Sequence, residues 1–321
     1  MEVWLHGFSI PGKVTGLARC AEDWGFAGLL LADSQNLTGD AWMELALAGA
    51  ATSRLRLGTG VTNPITRHLA VTASAAATLQ AETGGRAVVG FAQGDSALSQ
   101  IGRRRLRVAE FEQAVQTLQS LLRAEAVDFD GTRSSIRWLA SSELGKVPVH
   151  VAATGARTIA AGARHADGVD LTVGADPERL QWGAATAREA VPAGGSLSVG
   201  AYVNVAVVSG RHQTRDQARD QARELVRGSV ATFARFSGQA PGDYQPDRHG
   251  QSNATVAQEL DAGFIDRFAV CGPPELVRDR LGEIAARGID RLIVVPCSLD
   301  ARPEAVERSN ELFATEVLPG M

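Results

Sequence analysis

Leu55-Arg56-Leu57-Gly58-Thr59-Gly60-Val61-Thr62-Asn63-Pro64 and, one helix later, Gly84-Gly85-Arg86-Ala87-Val88-Val89-Gly90-Phe91-Ala92-Gln93-Gly94-Asp95 decide how this chain folds. Each stretch runs apolar and then stops in small and polar residues. Bare backbone, an amide, hydroxyls and a carboxylate therefore gather at two neighbouring strand ends. In a parallel α/β protein that edge of the sheet is where ligands bind. An ordinary β-to-α turn also asks for glycine here, so each segment taken alone admits that reading.

Working outward, strand-like and helix-like segments alternate along the chain. Strands are expected at 2–9, 28–32, 56–61, 86–92, 148–153, 168–173, 198–208 and 290–295. Helical spacing fills the gaps, for example at 13–24, 40–53, 69–82 and 108–125. Eight such units predict a (β/α)8 TIM barrel in a single domain, 1–321. An open doubly wound sheet is the competing topology. The stretch 237–263, with Gly238, Pro241, Gly242, Pro246 and Gly250, reads as an insertion over the C-terminal mouth.

Composition narrows the class. The 321 residues are 45% hydrophobic and 21% charged, with net charge −4, which supports a sizeable core and argues against a nucleic-acid surface. No stretch approaches the roughly 18 apolar residues of a membrane span, and Met1-Glu2-Val3-Trp4-Leu5-His6 lacks the pattern of a signal peptide. Cys20, Cys271 and Cys297 show no paired spacing, as expected in a reducing cytoplasm. His68, His150, His165, His212 and His249 have no metal-ligand spacing, so no metal is expected.

Chemistry concentrates at the strand ends. Asp33-Ser34-Gln35-Asn36 follow the second strand directly, as either working groups or an Asx-type turn. Gly60 lets a planar ring approach the backbone, Val61 packs flat against it, and Asn63, held extended by Pro64, is expected to project its amide from the turn. Arg67 and His68 follow, within reach of an acidic group. Gly94-Asp95-Ser96 sets a carboxylate after a flexible turn, suited to bonding a ring N–H or donating a proton, or else to capping the next helix. Thr154-Gly155-Ala156-Arg157-Thr158 opens a helix and reads as a phosphate seat, with Thr154 as a plain N-cap the alternative. Arg103, Arg104, Arg105 and Arg107 read first as a solvated loop face, second as a grip on an acidic cofactor tail. His6 in the first strand either faces the mouth or is a hydrogen-bonded core residue.

These motifs carry a family resemblance. Thr59 to Pro64 with Thr66-Arg67-His68, Gly84 to Gly90 with Gly94 to Leu98, Cys20 to Phe26, Val151 to Gly155 with Ala166-Asp167-Gly168, and Gly272-Pro273-Pro274-Glu275 together resemble the bacterial-luciferase-like superfamily of flavin and deazaflavin oxidoreductases. The likeness is strongest to the branch with methylenetetrahydromethanopterin reductase and coenzyme F420-dependent dehydrogenases. It implies a cis peptide between Gly60 and Val61 behind a deazaflavin ring, Asp33 and Asn63 near that ring, and cofactor phosphate held by Gly155 to Thr158. Asp95 would stand where related sugar-phosphate dehydrogenases carry an acidic residue. Those enzymes have a histidine where this chain has Ser34, a poor base for alcohol oxidation.

The expected activity is therefore an F420-dependent reductase acting on a small organic C=C, C=N or C=O acceptor. Asp95, Ser34 and His6 are the candidate catalytic groups. Asp33, Gly60, Val61, Asn63, Gly94, Asp95 and residues 154–158 are the candidate cofactor contacts. An FMN-dependent monooxygenase on the same scaffold is the alternative, and a barrel that binds a flavin without turnover is a third. The Ala-rich second and third helices are expected to form a homodimer face, as in the family.

Overall fold

The computed structural model describes residues 1–210, 213–240 and 245–321. β1 (Glu2–Phe8) leads to α1 (Val14–Asp23), β2 (Gly28–Ala32) to α2 (Ala41–Ala51) and β3 (Arg56–Thr62) to α3 (Leu69–Glu82). β4 (Ala87–Phe91) leads to the single turn α4 (Ser96–Ser99) and then to α5 (Val108–Leu122). A hairpin of β5 (Val127–Phe129) and β6 (Thr132–Ser134) precedes β7 (Val149–Ala153) and α6 (Ala156–His165). β8 (Gly168–Leu171), α7 (Pro177–Glu189), β9 (Ser198–Val207) and α8 (Arg215–Phe236) come next. The chain then forms α9 (Thr255–Glu259), α10 (Ala262–Phe268), β10 (Val270–Gly272), α11 (Pro274–Ala285), β11 (Arg291–Val295) and α12 (Pro303–Leu312).

The strand order is β10-β9-β11-β1-β2-β3-β4-β7-β8, with β9 also pairing β8. This is a closed parallel (β/α)8 TIM barrel, as the alternation predicts. The open-sheet alternative is excluded by the β9–β8 pairing. Every expected barrel strand is present within two residues of its expected ends. The sequence reading missed the β5–β6 hairpin, although Asp130-Gly131 at its tip is a hairpin turn signal. Asp130 and Gly131 adopt φ of 50° and 85°. β10 was also missed, because three residues are too few for a periodicity to register.

Contacts group the chain into two compact units. The first comprises residues 1–5, 170–186 and 199–321. Within it, the Arg291 guanidinium pairs with buried Asp170 and lies 4.8 Å above the Trp4 ring. α8 is fastened to strand ends: the Gly228 N–H donates to Ser298 Oγ at 2.9 Å, and Ser229 Oγ accepts from Asn204 Nδ2 at 3.0 Å. The stretch expected to be an insertion, 237–263, lies in this unit. Its described part holds a short 3-10 turn at Pro246–Arg248, α9 and the start of α10, while 241–244 lie outside the described residues.

The second unit comprises residues 6–169 and 187–198. Its strands β2, β3, β4 and β7 are parallel neighbours. Two charged residues of the quoted motifs, Arg86 and Glu22, turn out to be structural here. Arg86 donates to the carbonyls of Gly49, Thr52, Leu55 and Thr83, tying down the end of α2. Glu22 accepts the N–H groups of Ser53, Arg54 and Leu55, and these bonds hold its carboxyl below the usual range despite the opposing effect of burial. Among the described residues, no helix is long and apolar enough to cross a membrane.

One close approach shapes the β3–β4 pair. A Cβ on Gly90 would lie 2.1 Å from the Thr59 carbonyl oxygen and 3.2 Å from a Val61 methyl. The Thr59 hydroxyl in turn donates to the Gly90 carbonyl at 2.8 Å. Immediately beyond, the register of β3 against β4 slips between Thr59 and Thr62. Only a glycine at 90 leaves room for the carbonyl that leads into this bulge. Gly90→Ala is therefore expected to cost about 1–3 kcal/mol or more through overpacking, seen as a lower urea midpoint; an unchanged midpoint would contradict the packing argument.

Candidate functional site

All the candidate residues lie in the second unit, at the C-terminal ends of β1, β2, β3, β4 and β7. His6, near the end of β1, is buried, and its Nε2 sits 2.7 Å from the Gly60 carbonyl oxygen. A carbonyl accepts only, so Nε2 carries the hydrogen and donates. Burial pushes the imidazole down to about 4, against the opposing pull of the Gly60 carbonyl. His6 is thus the hydrogen-bonded core residue, one of its two readings. The Gly60–Val61 peptide is cis, as the resemblance implied. Gly60 and Val61 remain partly exposed between buried Thr59 and Thr62. A patch of bare main chain and one branched side chain is thereby presented at the end of β3.

Beside it lies Asp33. Its Oδ2 accepts from Thr62 Oγ1 at 2.7 Å. Burial raises the carboxyl above its ordinary range, opposed by the Thr62 hydroxyl and Arg67 and reinforced weakly by Asp40. Arg67 itself pairs with Asp40, whose other oxygen caps α2 at the Trp42 and Met43 N–H groups. The acid within reach of Arg67 is therefore internal. His68 caps α3, its Nδ1 accepting from the Ala70 N–H.

Asn63 departs from its expected posture. Its Oδ1 accepts from the N–H groups of Ile65 and Thr66, and its Nδ2 donates to Thr66 Oγ1. The amide folds back into an Asx turn and is buried, rather than projecting. Three local partners within three residues outcompete solvent for it.

The β2 end is stitched to α4. Ser34 Oγ lies 3.3 Å from Ser96 Oγ, Gln35 Nε2 donates to the Ala97 carbonyl at 2.9 Å, and Asn36 Nδ2 donates to that of Gln100. Asp95 occupies the N-cap position of α4, yet its side chain makes no capping bond. Gly94 before it has φ of 89°, and a Cβ there would lie 2.6 Å from a Leu98 methyl, so the turn requires glycine.

The start of α6 is open. Gly155 is its N-cap, with no side-chain capping bond, so Thr154 does not cap as the alternative reading held. The first N–H to bond back into the helix is that of Thr158, to the Gly155 carbonyl at 3.0 Å. The N–H groups of Ala156 and Arg157 are thus available, and residues 155–157 are exposed. A Cβ on Gly155 would meet nothing within 4 Å. This donor set fits an anion such as a phosphate. Thr158 is a partial exception, since its hydroxyl donates to Gln93 Oε1 at 3.0 Å. Gln93 was missed by the sequence reading; no spacing marks a residue whose two bonds are both to distant segments. Among the described residues, no group of three or more His, Cys, Asp or Glu is placed to hold a metal.

Comparison with known proteins places the fold and the family. The chain is 27% identical over 320 residues to 5,10-methylenetetrahydromethanopterin reductase of Archaeoglobus fulgidus, covering 94% of this chain and 93% of that one. The solved structure of coenzyme F420 dependent tetrahydromethanopterin reductase from Methanopyrus kandleri superposes with a TM-score of 0.75 at 22% identity, covering 99% of this chain and 98% of that one. An F420-dependent secondary alcohol dehydrogenase, solved with an F420-acetone adduct, superposes with a TM-score of 0.78 at 19% identity, covering 100% and 99%. At these identities the structural likeness establishes the fold. Residues 8–291 match the bacterial luciferase family, described as luciferase-like monooxygenase. The chain belongs to the luciferase-like family.

Proposed function

We propose that this protein is an F420-dependent oxidoreductase working as a reductase on a small organic acceptor. The observation that carries the reading is the pairing, within one compact unit, of exposed main chain at Gly60–Val61 with an uncapped helix N-terminus at Gly155–Arg157. The first suits the back of a flat tricyclic ring and the second its phosphate, so the residues present fit the cofactor. Bound there, the reduced deazaflavin supplies a hydride. The protein's share is to position and to handle protons.

His6 holds the Gly60 carbonyl through Nε2–H and so fixes the main chain behind the ring; it is a positioning group rather than an acid or base. Asp33, its carboxyl raised by burial and bonded by Thr62 at Oδ2, is one carboxyl assigned to proton handling. Asp95, at the N-cap position of α4 without a capping bond, is the second carboxyl assigned to proton handling. Ser34 meets another hydroxyl at Ser96 rather than a base, which favours reduction over alcohol oxidation. Met43 and Leu47 on α2 and Val71 on α3 are 70%, 53% and 51% exposed, an apolar face suited to a homodimer. The free thiols of Cys20, Cys271 and Cys297 suit a cytoplasmic setting.

The direct test titrates the protein with F420 and FMN separately, followed by an anaerobic acceptor screen. Saturable F420 binding, on the order of 10-fold tighter than FMN, and acceptor-dependent oxidation of reduced F420 are expected. Tight FMN binding without F420 binding would establish the monooxygenase alternative instead.

Two variants probe the parts. Gly155→Asp places a carboxylate at the α6 N-cap in open space. It should cap the helix, leaving stability unchanged or raised by a few tenths of a kcal/mol, while weakening F420 binding by more than about 10-fold through competition with phosphate. Unchanged affinity would remove the phosphate from this seat. For His6, a pKa of about 4 against 6.5 for the free side chain means that unfolding takes up a proton in acid. The stability it contributes is full above pH 6.5 and is lost as pH falls toward 4. His6→Gln keeps an N–H donor without titrating, so between pH 7 and 4.5 the wild type should lose about 2–3 kcal/mol more than the variant in denaturant unfolding. Parallel losses would show that His6 is not held neutral.

A further inference from the structure

Gln93, the second residue after β4, makes two hydrogen bonds that the proposed function leaves unused. Its Oε1 accepts from the Thr158 hydroxyl at 3.0 Å, and its Nε2 donates to the Leu106 carbonyl at 2.7 Å. A glutamine amide holds its acceptor and its donors on one planar group. The bond at one end therefore aims the bond at the other.

Both ends matter. Thr158 is buried and is the third residue of α6, directly after Ala156 and Arg157, whose N–H groups the proposed function gives to phosphate. Its own N–H goes to the Gly155 carbonyl at 3.0 Å. Its hydroxyl has a single hydrogen, and Gln93 takes it. The first turn of α6 is thereby tied to the end of β4. At the other end, Leu106 closes a segment that starts at Gln93, holds Asp95 and α4, and leads into α5. Among the described residues, Arg104, Arg105 and Leu106 make one hydrogen bond, the one from Gln93. Arg103, Arg104 and Arg105 are exposed. A stretch with so few bonds of its own opens easily unless that one bond holds.

We infer that Gln93 is a positioning residue: it sets the first turn of α6 for the cofactor phosphate and ties the loop before α5 to that turn. The part that concerns phosphate rests on the F420 reading; the link between Thr158 and Leu106 rests on the two bonds. The competing account is two independent fastenings that happen to share a side chain. The two accounts differ in coupling. If Thr158 aims the amide, removing its hydroxyl loosens the loop although no atom of the loop has changed.

Two measurements on the intact protein test this. They use Gln93→Met, which keeps side-chain length without the amide, Thr158→Val, which keeps shape without the hydroxyl, and the double variant. The first, without cofactor, is the rate of trypsin cleavage after Arg103, Arg104 and Arg105, with fragments assigned by mass; cleavage follows the population of the opened loop. Both single variants should be cut there about 3- to 10-fold faster than the wild type. The double variant should be cut no faster than Gln93→Met, since both changes remove one interaction. Wild-type cleavage of Thr158→Val, or effects that multiply in the double variant, would overturn the link. The second is affinity, by fluorescence, for F420 and for its deazaflavin ribityl fragment lacking phosphate. Gln93→Met should weaken F420 about 3- to 10-fold and leave the fragment at its wild-type affinity, a split that general loosening of the fold does not produce. Unchanged F420 affinity, or equal weakening of both probes, overturns the role at the phosphate seat while leaving the F420 reading intact. A wild type that binds neither probe overturns the F420 reading together with that role.

Discussion

The Thr59 carbonyl oxygen occupies the place where a side chain at residue 90 would begin. Immediately beyond this close approach between adjacent strands, β3 slips in register against β4 and Gly60 and Val61 stay partly exposed. Neighbouring strands then hold the exposed segment in place. The Gly90 carbonyl takes the Thr59 hydroxyl, the Gly60 carbonyl takes a hydrogen from buried His6, and the Thr62 hydroxyl goes to Asp33. Residues 59, 60 and 62 are thereby anchored from three directions, by β4, by β1 and by the end of β2. These bonds occupy the Gly60 carbonyl and the hydroxyls of Thr59 and Thr62 on either side of the cis peptide.

The opposite holds at α6. There the helix start is uncapped: the N-cap is a glycine, no side chain caps it, and residues 155–157 are exposed. The unit thus combines a partly exposed glycine and valine at the end of β3 with an uncapped helix terminus at α6. That asymmetry matches a ligand with a flat ring at one end and an anion at the other. It also accounts for the carboxyls: Asp33 is pushed toward its neutral form by burial, and Asp95 stands at a helix start without capping it.

Much of this was legible in the sequence, and the physical reasons separate what was from what was not. The eight barrel strands announced themselves as apolar runs closed by glycine or polar residues, a pattern set by burial on both faces. Gly60, Gly94 and Gly155 were readable as special backbone at strand ends: Gly60 opens a cis peptide, Gly94 has φ of 89° and Gly155 is the N-cap of α6. The roles of polar side chains were not readable to the same degree. Asn63 folds into its own turn, Arg86 and Glu22 tie loops, and Gln93 brackets two segments 13 and 65 residues away. Such partners are chosen by three-dimensional proximity, to which spacing along the chain is blind. The Asp130-Gly131 hairpin is the exception, a local signal that was present and passed over.

The most direct test of the central claim is a crystal structure of the protein with oxidised F420. The account predicts the tricyclic ring lying against the main chain of Gly60 and Val61, with the phosphate within hydrogen-bonding distance of the Ala156 and Arg157 N–H groups. A ring bound away from residues 60–61, or a phosphate held elsewhere while the α6 N-terminus stays open to solvent, would contradict it.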